Sequence, residues 1–479
     1  MTLRTLFIAR GFAAGRNHNI FVPQKGMERF MKVIIIGAGK VGFNMAQLLS
    51  TEGHDVTVIE QSPERQQILE NALDIQVISG SGSSTSVLLS SGVKKADMLI
   101  AVTEYDELNM VACLLAKKYG AKTTVARVRN PEYLEVKEFS LKQLMGIDLI
   151  INPDRVTAWE IAEIAKNPEA LGVDYYADGK VQLLELELKA DSPLLGKKIK
   201  QLDMSIPYNI VSILRKHVIL VPNGDDILKL GDHIHLMART SDMKAVEVLL
   251  GFDARKVEQV TILGGGRTGF YLAQILETSQ PLMNIKIIEK DFARAQKISQ
   301  KLKRTLVIHG EGSDYQLLEE ENIKASDLFV ALSDDDKINL LSALIASNLG
   351  VKKTVCQLKR TDILPLAEQV GIDTIISPRL LTAGAILKYM RVGDIISVTI
   401  FGEDRAEMLE LIAQPGANVL NKQLKDIKLP TGSMIGAALR DDKIIIPDGT
   451  FKIVPFDRLI VFSLLKSIHK IEHFFKKGS

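Results

Sequence analysis

Residues 31–60 read MKVIIIGAGKVGFNMAQLLSTEGHDVTVIE. The branched apolar run Val33–Ile36 stops at Gly37-Ala38-Gly39-Lys40-Val41-Gly42. Apolar residues at helical spacing then reach Leu49, and a second apolar run ends in Glu60. A strand, a glycine turn, a helix and a strand with a terminal acid form the context in which G-x-G-x-x-G indicates a dinucleotide. Gly37 permits the tight turn, Gly39 lets the backbone approach a pyrophosphate, and Gly42 lets helix and strand pack closely. The free amides at the helix N-terminus face the phosphates. Glu60 is placed to accept hydrogen bonds from ribose hydroxyls. Its charge repels a 2′-phosphate, so NAD(H) or ADP/ATP is expected rather than NADP(H).

Downstream, the alternation continues. Helix 63–71, strand IQVIS, a helix near 84–90, strand DMLIAVT, helix 106–119 and strand TTVARV follow in turn. Then DLIINP leads into a long helix holding Trp159. The strand runs do not alternate polar with apolar, as expected for parallel strands covered on both faces. This is the pattern of a Rossmann-like, doubly wound α/β sheet. Thr103 and Glu104 follow the fourth strand and Arg127 ends the fifth. All three fall on the carboxyl edge, where such sheets bind ligands.

The same device recurs at Gly264-Gly265-Gly266-Arg267-Thr268-Gly269, 227 residues after Gly37. Glu60 recurs as Glu289 (offset 229), Gly80 as Gly310 and Asp97 as Asp327 (230), Pro153 as Pro378 and Pro222 as Pro447 (225). So constant an offset indicates an ancient duplication. The second copy places Ser333, Asp334 and Gln357 where the first has Thr103, Glu104 and Arg127. It is either a second nucleotide site, weaker or different for want of the arginine, or a decayed one. Lys40 and Arg267 occupy equivalent turn positions, as phosphate-neutralising cations or as solvated surface charges. Asp334-Asp335-Asp336 reads either as a cation cluster or as acids capping the next helix.

After each nucleotide domain come short strands separated by turns, such as VQLLELEL, NIVSILR, HVILVPNG and HIHLMAR. The segment LLGKKIKQL is expected as a short helix, and 242–250 as a helix. Each such module is a small α+β unit of about 80 residues. The expected domains are 31–152 and 257–378 for nucleotide binding, with modules at 172–256 and 396–479. Residues 1–30 carry five Lys/Arg against one acid, Glu28. They read either as a transit-peptide-like leader or as a loose extension upstream of a start at Met31.

Composition narrows the function. The 479 residues are 46% hydrophobic, 25% charged and 5% aromatic, the make-up of an ordinary globular chain with room for about three or four domains. Sixty Lys+Arg against 58 Asp+Glu give +2, too balanced for a dedicated nucleic-acid binder, so no nucleic-acid partner is expected. No uncharged run approaches the roughly 20 apolar residues of a membrane span. Cys113 and Cys356 lack CxxC neighbours, and core packing is their expected role. His233 and His235 stand one strand period apart with no metal spacing, so no metal site is expected. A dehydrogenase needs a catalytic acid or base beside the hydride carbon. The small modules show no convergent set of that kind, which points to a sensor rather than an enzyme. An NAD-dependent oxidoreductase with an unrecognised substrate module is the alternative.

The stretch at 31–60, together with ADMLIAVTEYDELNMVACLLAKKYGAKTTVARVRNPEY at 96–133, resembles the TrkA family, the peripheral subunits of Trk potassium uptake systems. The resemblance spans about residues 31–479 and includes two potassium-conductance-regulating domains in tandem, each with its C-terminal module. It implies a cytosolic protein on the inner face of the plasma membrane, docked on a potassium-translocating membrane subunit and binding NAD(H) and ADP/ATP. It carries over one site at Gly37–Val41, Glu60, Thr103, Glu104 and Arg127, and a second at Gly264–Thr268, Glu289 and Ser333. A homo-oligomer is expected, a dimer whose four nucleotide domains close a ring. The apolar stretch Leu108–Ala116 would be buried either by a neighbouring domain or within its own sheet layer. The single-domain regulator of a potassium antiporter is a further alternative, against which the duplication argues.

Overall fold

In the computed structural model the first six strands pair only with parallel neighbours. They are β1 (Lys32–Ile36), β2 (Asp55–Glu60), β3 (Gln76–Ser79), β4 (Met98–Ala101), β5 (Thr123–Arg127) and β6 (Leu149–Ile151), arranged in the order β3-β2-β1-β4-β5-β6. The described residues are 31–475, apart from 52, 135–139, 217, 253–255, 361–362, 365–366, 368–369, 391–394, 402–405 and 418. The expectations for residues 1–30 lie outside them.

Helices α1 (Lys40–Thr51), α2 (Pro63–Ala72) and α3 (Asp106–Tyr119) are the crossovers that cover this sheet. Val33–Ile36 of β1 and all of β4 are apolar and buried because helices lie on both faces. Helix α3 buries Met110, Ala112, Cys113 and Ala116 in the core of its own layer, and Val111 alone of its large apolar side chains is counted as exposed (38%). After β6 comes α4 (Pro153–Lys166).

The first small module is an antiparallel sheet ordered β10-β9-β11-β8-β7. Its strands are β7 (Gly172–Tyr176), β8 (Val181–Glu187), β9 (Tyr208–Arg215), β10 (Val218–Leu220) and β11 (His233–Arg239). The segment expected as a helix, LLGKKIKQL, contains only one 3₁₀ turn, Ile199–Gln201. Lys198 bridges to Ile227 there, so the segment runs as an edge connection.

The duplication is visible strand for strand. β12 (Gln259–Leu263), β13 (Asn284–Glu289), β14 (Leu306–His309), β15 (Leu328–Ala331), β16 (Thr354–Gln357) and β17 (Thr374–Ile376) form a second parallel sheet in the same order, β14-β13-β12-β15-β16-β17. Its crossovers include α5 (Arg267–Ser279), α6 (Phe292–Ser299) and α7 (Asp336–Asn348), and α8 (Pro378–Met390) follows β17. The last module contains β18 (Ile395–Phe401), β19 (Ala406–Ile412), β20 (Ser433–Arg440), β21 (Lys443–Ile445) and β22 (Arg458–Leu464).

The chain forms two compact units. One holds the first parallel sheet, to Ala158, together with Ser377–Leu387, which includes most of α8. The other holds Trp159–Ile376 and the chain from Lys388 on. Within this second unit the two antiparallel modules share a core. Tyr176, Leu183, Val211 and Met237 of the first pack with Met408, Ala437, Ile460 and Phe462 of the second. Its polar rim includes Arg458, which bonds Asp178 and Glu410, and Asn209 Nδ2, which donates to Gly436 O at 3.1 Å. Burial pushes the Glu410 carboxyl up from its ordinary range, against the opposing pull of Arg458.

Candidate functional site

β1 and β4 are neighbours but are joined to opposite wings of the first sheet, so the chain reverses direction between their carboxyl ends. That crevice is where doubly wound sheets take ligands. Gly37 follows β1 at φ +95°, a conformation L side chains avoid, and its N–H donates to Ile59 O at 2.9 Å. A Cβ on Gly42 would lie 1.9 Å from Gly37 O, so the helix can start this close to the turn only without a side chain there. A Cβ on Gly39 would meet nothing within 4 Å. The second copy repeats all three relations: Gly264 at φ +101°, a Gly269 Cβ 2.0 Å from Gly264 O, and open space at Gly266.

Glu60, at the end of β2, is buried and already held by the turn. Oε2 accepts from Ala38 N at 2.6 Å, and Oε1 from Gln61 N and Ser62 N at 2.8 and 2.9 Å. Three charge-assisted bonds from backbone fix the carboxylate at the edge of the glycine turn. A carboxylate has about four acceptor positions, so capacity remains for a hydroxyl donor. Glu289 does the same with Gly265 N (2.7 Å) and Asp291 N (2.8 Å), and Arg294 Nη1 stands 3.5 Å from its Oε2.

Thr103 lies against the turn, since a Cβ on Gly37 would sit 2.9 Å from its Cγ2. Sequence reasoning missed the residue that holds it, Asn109. This buried side chain on α3 accepts from Thr103 N (3.0 Å) and Thr103 Oγ1 (2.7 Å), and donates to Thr103 O (3.1 Å) and Arg127 O (2.9 Å). It ties the ends of β4 and β5 together. Asn339 repeats this with Ser333 N, Ser333 O and Gln357 O. The available signal was an asparagine recurring at offset 230 on the apolar face of a helix.

Arg127 is half-buried, with Nη1 donating to Thr103 O at 3.3 Å and a buried Nε that has no partner. Burial, with Arg129 nearby, lowers its pKa from the ordinary arginine value. Arg129 itself forms a two-point pair with Asp154. Glu104, Lys40 and Arg267 are exposed at the rim, while Val41 and Thr268 are buried in the first turns of α1 and α5. Asp334 is exposed and pairs with Lys359 Nζ at 2.9 Å. Asp335 caps α7 through Lys337 N, whereas Asp336 accepts from Lys359 N and Arg360 N in the loop after β16, so only one of the three acids is a helix cap. No cluster of His, Cys, Asp or Glu suited to a metal occurs among the described residues. His233 and His235 lie buried in the first module. His233 Nδ1 is 2.9 Å from Glu185 Oε1, and His235 Nδ1 is 2.9 Å from Ser212 Oγ. Cys113 and Cys356 are buried and free.

The residues present fit a phosphate-bearing ligand. Each sheet offers a glycine cradle that a Cβ would fill and amides at a helix N-terminus, and the first adds a buried guanidinium nitrogen with no partner.

Residues 33–153 and 260–378 match the TrkA-N domain, and 183–251 and 408–476 the TrkA-C domain. The chain belongs to the TrkA family. It is 35% identical over 453 residues to the Trk system potassium uptake protein TrkA homolog 2 of Methanosarcina mazei, covering 93% of this chain and 100% of that one. It is also 35% identical to the TrkA protein of Halomonas elongata, covering 94% of this chain and 99% of that one. Among solved structures, the GsuK channel bound to NAD shares the fold at TM-score 0.61 and 19% identity, over 94% of this chain and 80% of that one. No helix among the described residues is long and apolar enough to cross a membrane.

Proposed function

We propose that this chain is a cytosolic, non-enzymatic regulatory subunit that binds NAD(H) and ADP/ATP and gates a potassium-translocating membrane protein during potassium uptake. The observation that carries the reading is the paired cradle. Both parallel sheets have space at Gly39 and Gly266 beside an anchored acid, Glu60 or Glu289, at the switch point. The names of the relatives and the NAD carried by the GsuK channel support it.

In this reading Gly37–Gly42 cradle the diphosphate that NAD(H) and ATP share, Glu60 takes the ribose, and Thr103, Glu104 and Arg127 line the far edge. Gly264–Gly269, Glu289, Ser333 and Asp334 form the second, weaker site. The ligand undergoes no chemistry. It acts by binding two conformations of the subunit with different affinity. A ring built from two chains on the membrane partner would carry that difference to the transport path.

The test is potassium uptake in membranes carrying the partner, with wild-type chain or the double variant Gly39→Val/Gly266→Val. Nucleotide-dependent uptake that the double variant loses supports the reading. Uptake indifferent to both substitutions contradicts it. Steady NADH turnover with 2-oxo acids would favour the oxidoreductase alternative instead.

A further inference from the structure

The two halves differ at one corner that the glycine turns and the acids leave unexplained. In the first half, the space between the carboxyl ends of β2 and β3 is spanned by Gln66, whose Nε2 donates to Glu60 O (2.7 Å) and Ser79 Oγ (3.0 Å). Pro63 opens the neighbouring helix. In the second half all three positions change together: Pro63 is replaced by Phe292, Gln66 by Ala295 and Ser79 by His309. The polar bridge is gone. His309 Nε2 donates to Lys290 O at 3.1 Å, which steadies the imidazole. Phe292 meets it edge to face, with ring centroids 5.4 Å apart and planes at 83°.

Phe292 remains 64% exposed although it is a large apolar ring, and His309 is exposed as well. His309 is also the register partner of Glu289, the buried acid beside the second glycine turn. A ring pair therefore stands next to the expected ribose position, on the side away from the phosphate cradle. Phe292 is open to solvent on the side away from His309's contact, and its helix already has a cap in Asp291.

We infer that Phe292 and His309 form an aromatic contact for the base of a purine nucleoside diphosphate at the second site, a contact for which the first half, with Pro63 and Ser79, has no ring counterpart. The inference rests on the nucleotide reading of the second half given above and adds what that site selects. Planar rings hold purines through large apolar contact and π overlap with modest directional demands. A pyrimidine offers less area. The aromatic contact also supplies in the second half some of the affinity lost where Gln357 replaces Arg127.

The test uses the full chain carrying Gly39→Val, which closes the first cradle, titrated by calorimetry with ADP, UDP and inorganic pyrophosphate. Phe292→Ala and His309→Ala are expected to weaken ADP by on the order of 10-fold or more, with pyrophosphate unchanged and UDP affected less. Phe292→Tyr should restore ADP binding and Phe292→Leu should not. Both positions are exposed, so unchanged melting temperatures separate binding from folding. ADP affinity indifferent to Phe292 and His309 overturns the aromatic contact while leaving the nucleotide reading standing. Absence of ADP binding in the Gly39→Val parent overturns both for the second half.

Discussion

Ala38 N donates to Glu60 Oε2 at 2.6 Å, so the acid at the end of the second strand anchors the glycine turn that follows the first. One residue therefore shapes the glycine turn and, in the proposed reading, also takes the ribose. Replacing it should affect both. Glu60→Ala should weaken adenine-nucleotide binding by about 1.5–3 kcal/mol through lost charge-assisted bonds. It should also lower the melting temperature, because Ala38, Gln61 and Ser62 lose their acceptor. Calorimetric titration beside thermal unfolding checks both. Glu60→Gln keeps one oxygen acceptor and should fall between wild type and alanine.

Asn109 gives a prediction about stability. Asn109→Ala leaves Arg127 O without its side-chain donor and Thr103 N without its side-chain acceptor at the carboxyl edge. The expected cost is about 1–3 kcal/mol, read from chemical unfolding. Asn339→Ala should cost a similar amount, since its partners Ser333 and Gln357 are arranged alike. A loss in one half only would show that the two clamps are not equivalent.

Arg127 is expected to discriminate between the proposed ligands. NAD(H) and ATP share their adenosine diphosphate half and differ beyond it, where ATP carries more charge. Arg127→Gln copies what the second half has at Gln357. It should lower ATP affinity more than NADH affinity, because a charged donor matters most where the ligand charge is highest. Binding curves for both ligands on this single variant decide it. Equal losses would place the discrimination elsewhere.

Acid should loosen the first small module. His235 is fully buried against Ser212, Glu185 and His233, and burial depresses its pKa below the ordinary histidine value of about 6.5. Below that pH the unfolded chain binds a proton that the folded chain does not. Stability therefore falls as pH drops from about 6.5 toward the folded pKa, by at most about 1.4 kcal/mol per pH unit for this group. Unfolding measured between pH 7.5 and 5.5 should show that slope, and His235→Gln should flatten it.

Much of this was legible because repetition and glycine spacing are strong signals. The parallel sheets follow from Val33–Ile36 and its relatives, which only a sheet covered on both faces explains. The acids at 60 and 289 follow from their distance to the glycines. Three features were not legible. LLGKKIKQL reads as helical from composition, but the pairing of Lys198 with Ile227 holds it extended around one 3₁₀ turn. β7 went unnoticed because it is short and partly exposed, and pairing with β8 defines it. Asn109 looked like one polar residue in an apolar helix, since its role depends on two strand ends distant in sequence.

The most direct test of the central claim sets Gly39 against Gly42. A Cβ at Gly42 would collide with Gly37 O, whereas one at Gly39 would meet nothing within 4 Å and would occupy only the space proposed for the diphosphate. The measurement is calorimetric titration of Gly39→Val with NADH, with thermal unfolding of the same sample. Because the second half provides a cradle of its own, the titration is run in the Gly266→Val background. The expected result is loss of saturable NADH binding with a melting temperature close to that of the Gly266→Val parent. Wild-type affinity in the doubly substituted chain would contradict the claim that the glycine turns hold the nucleotide.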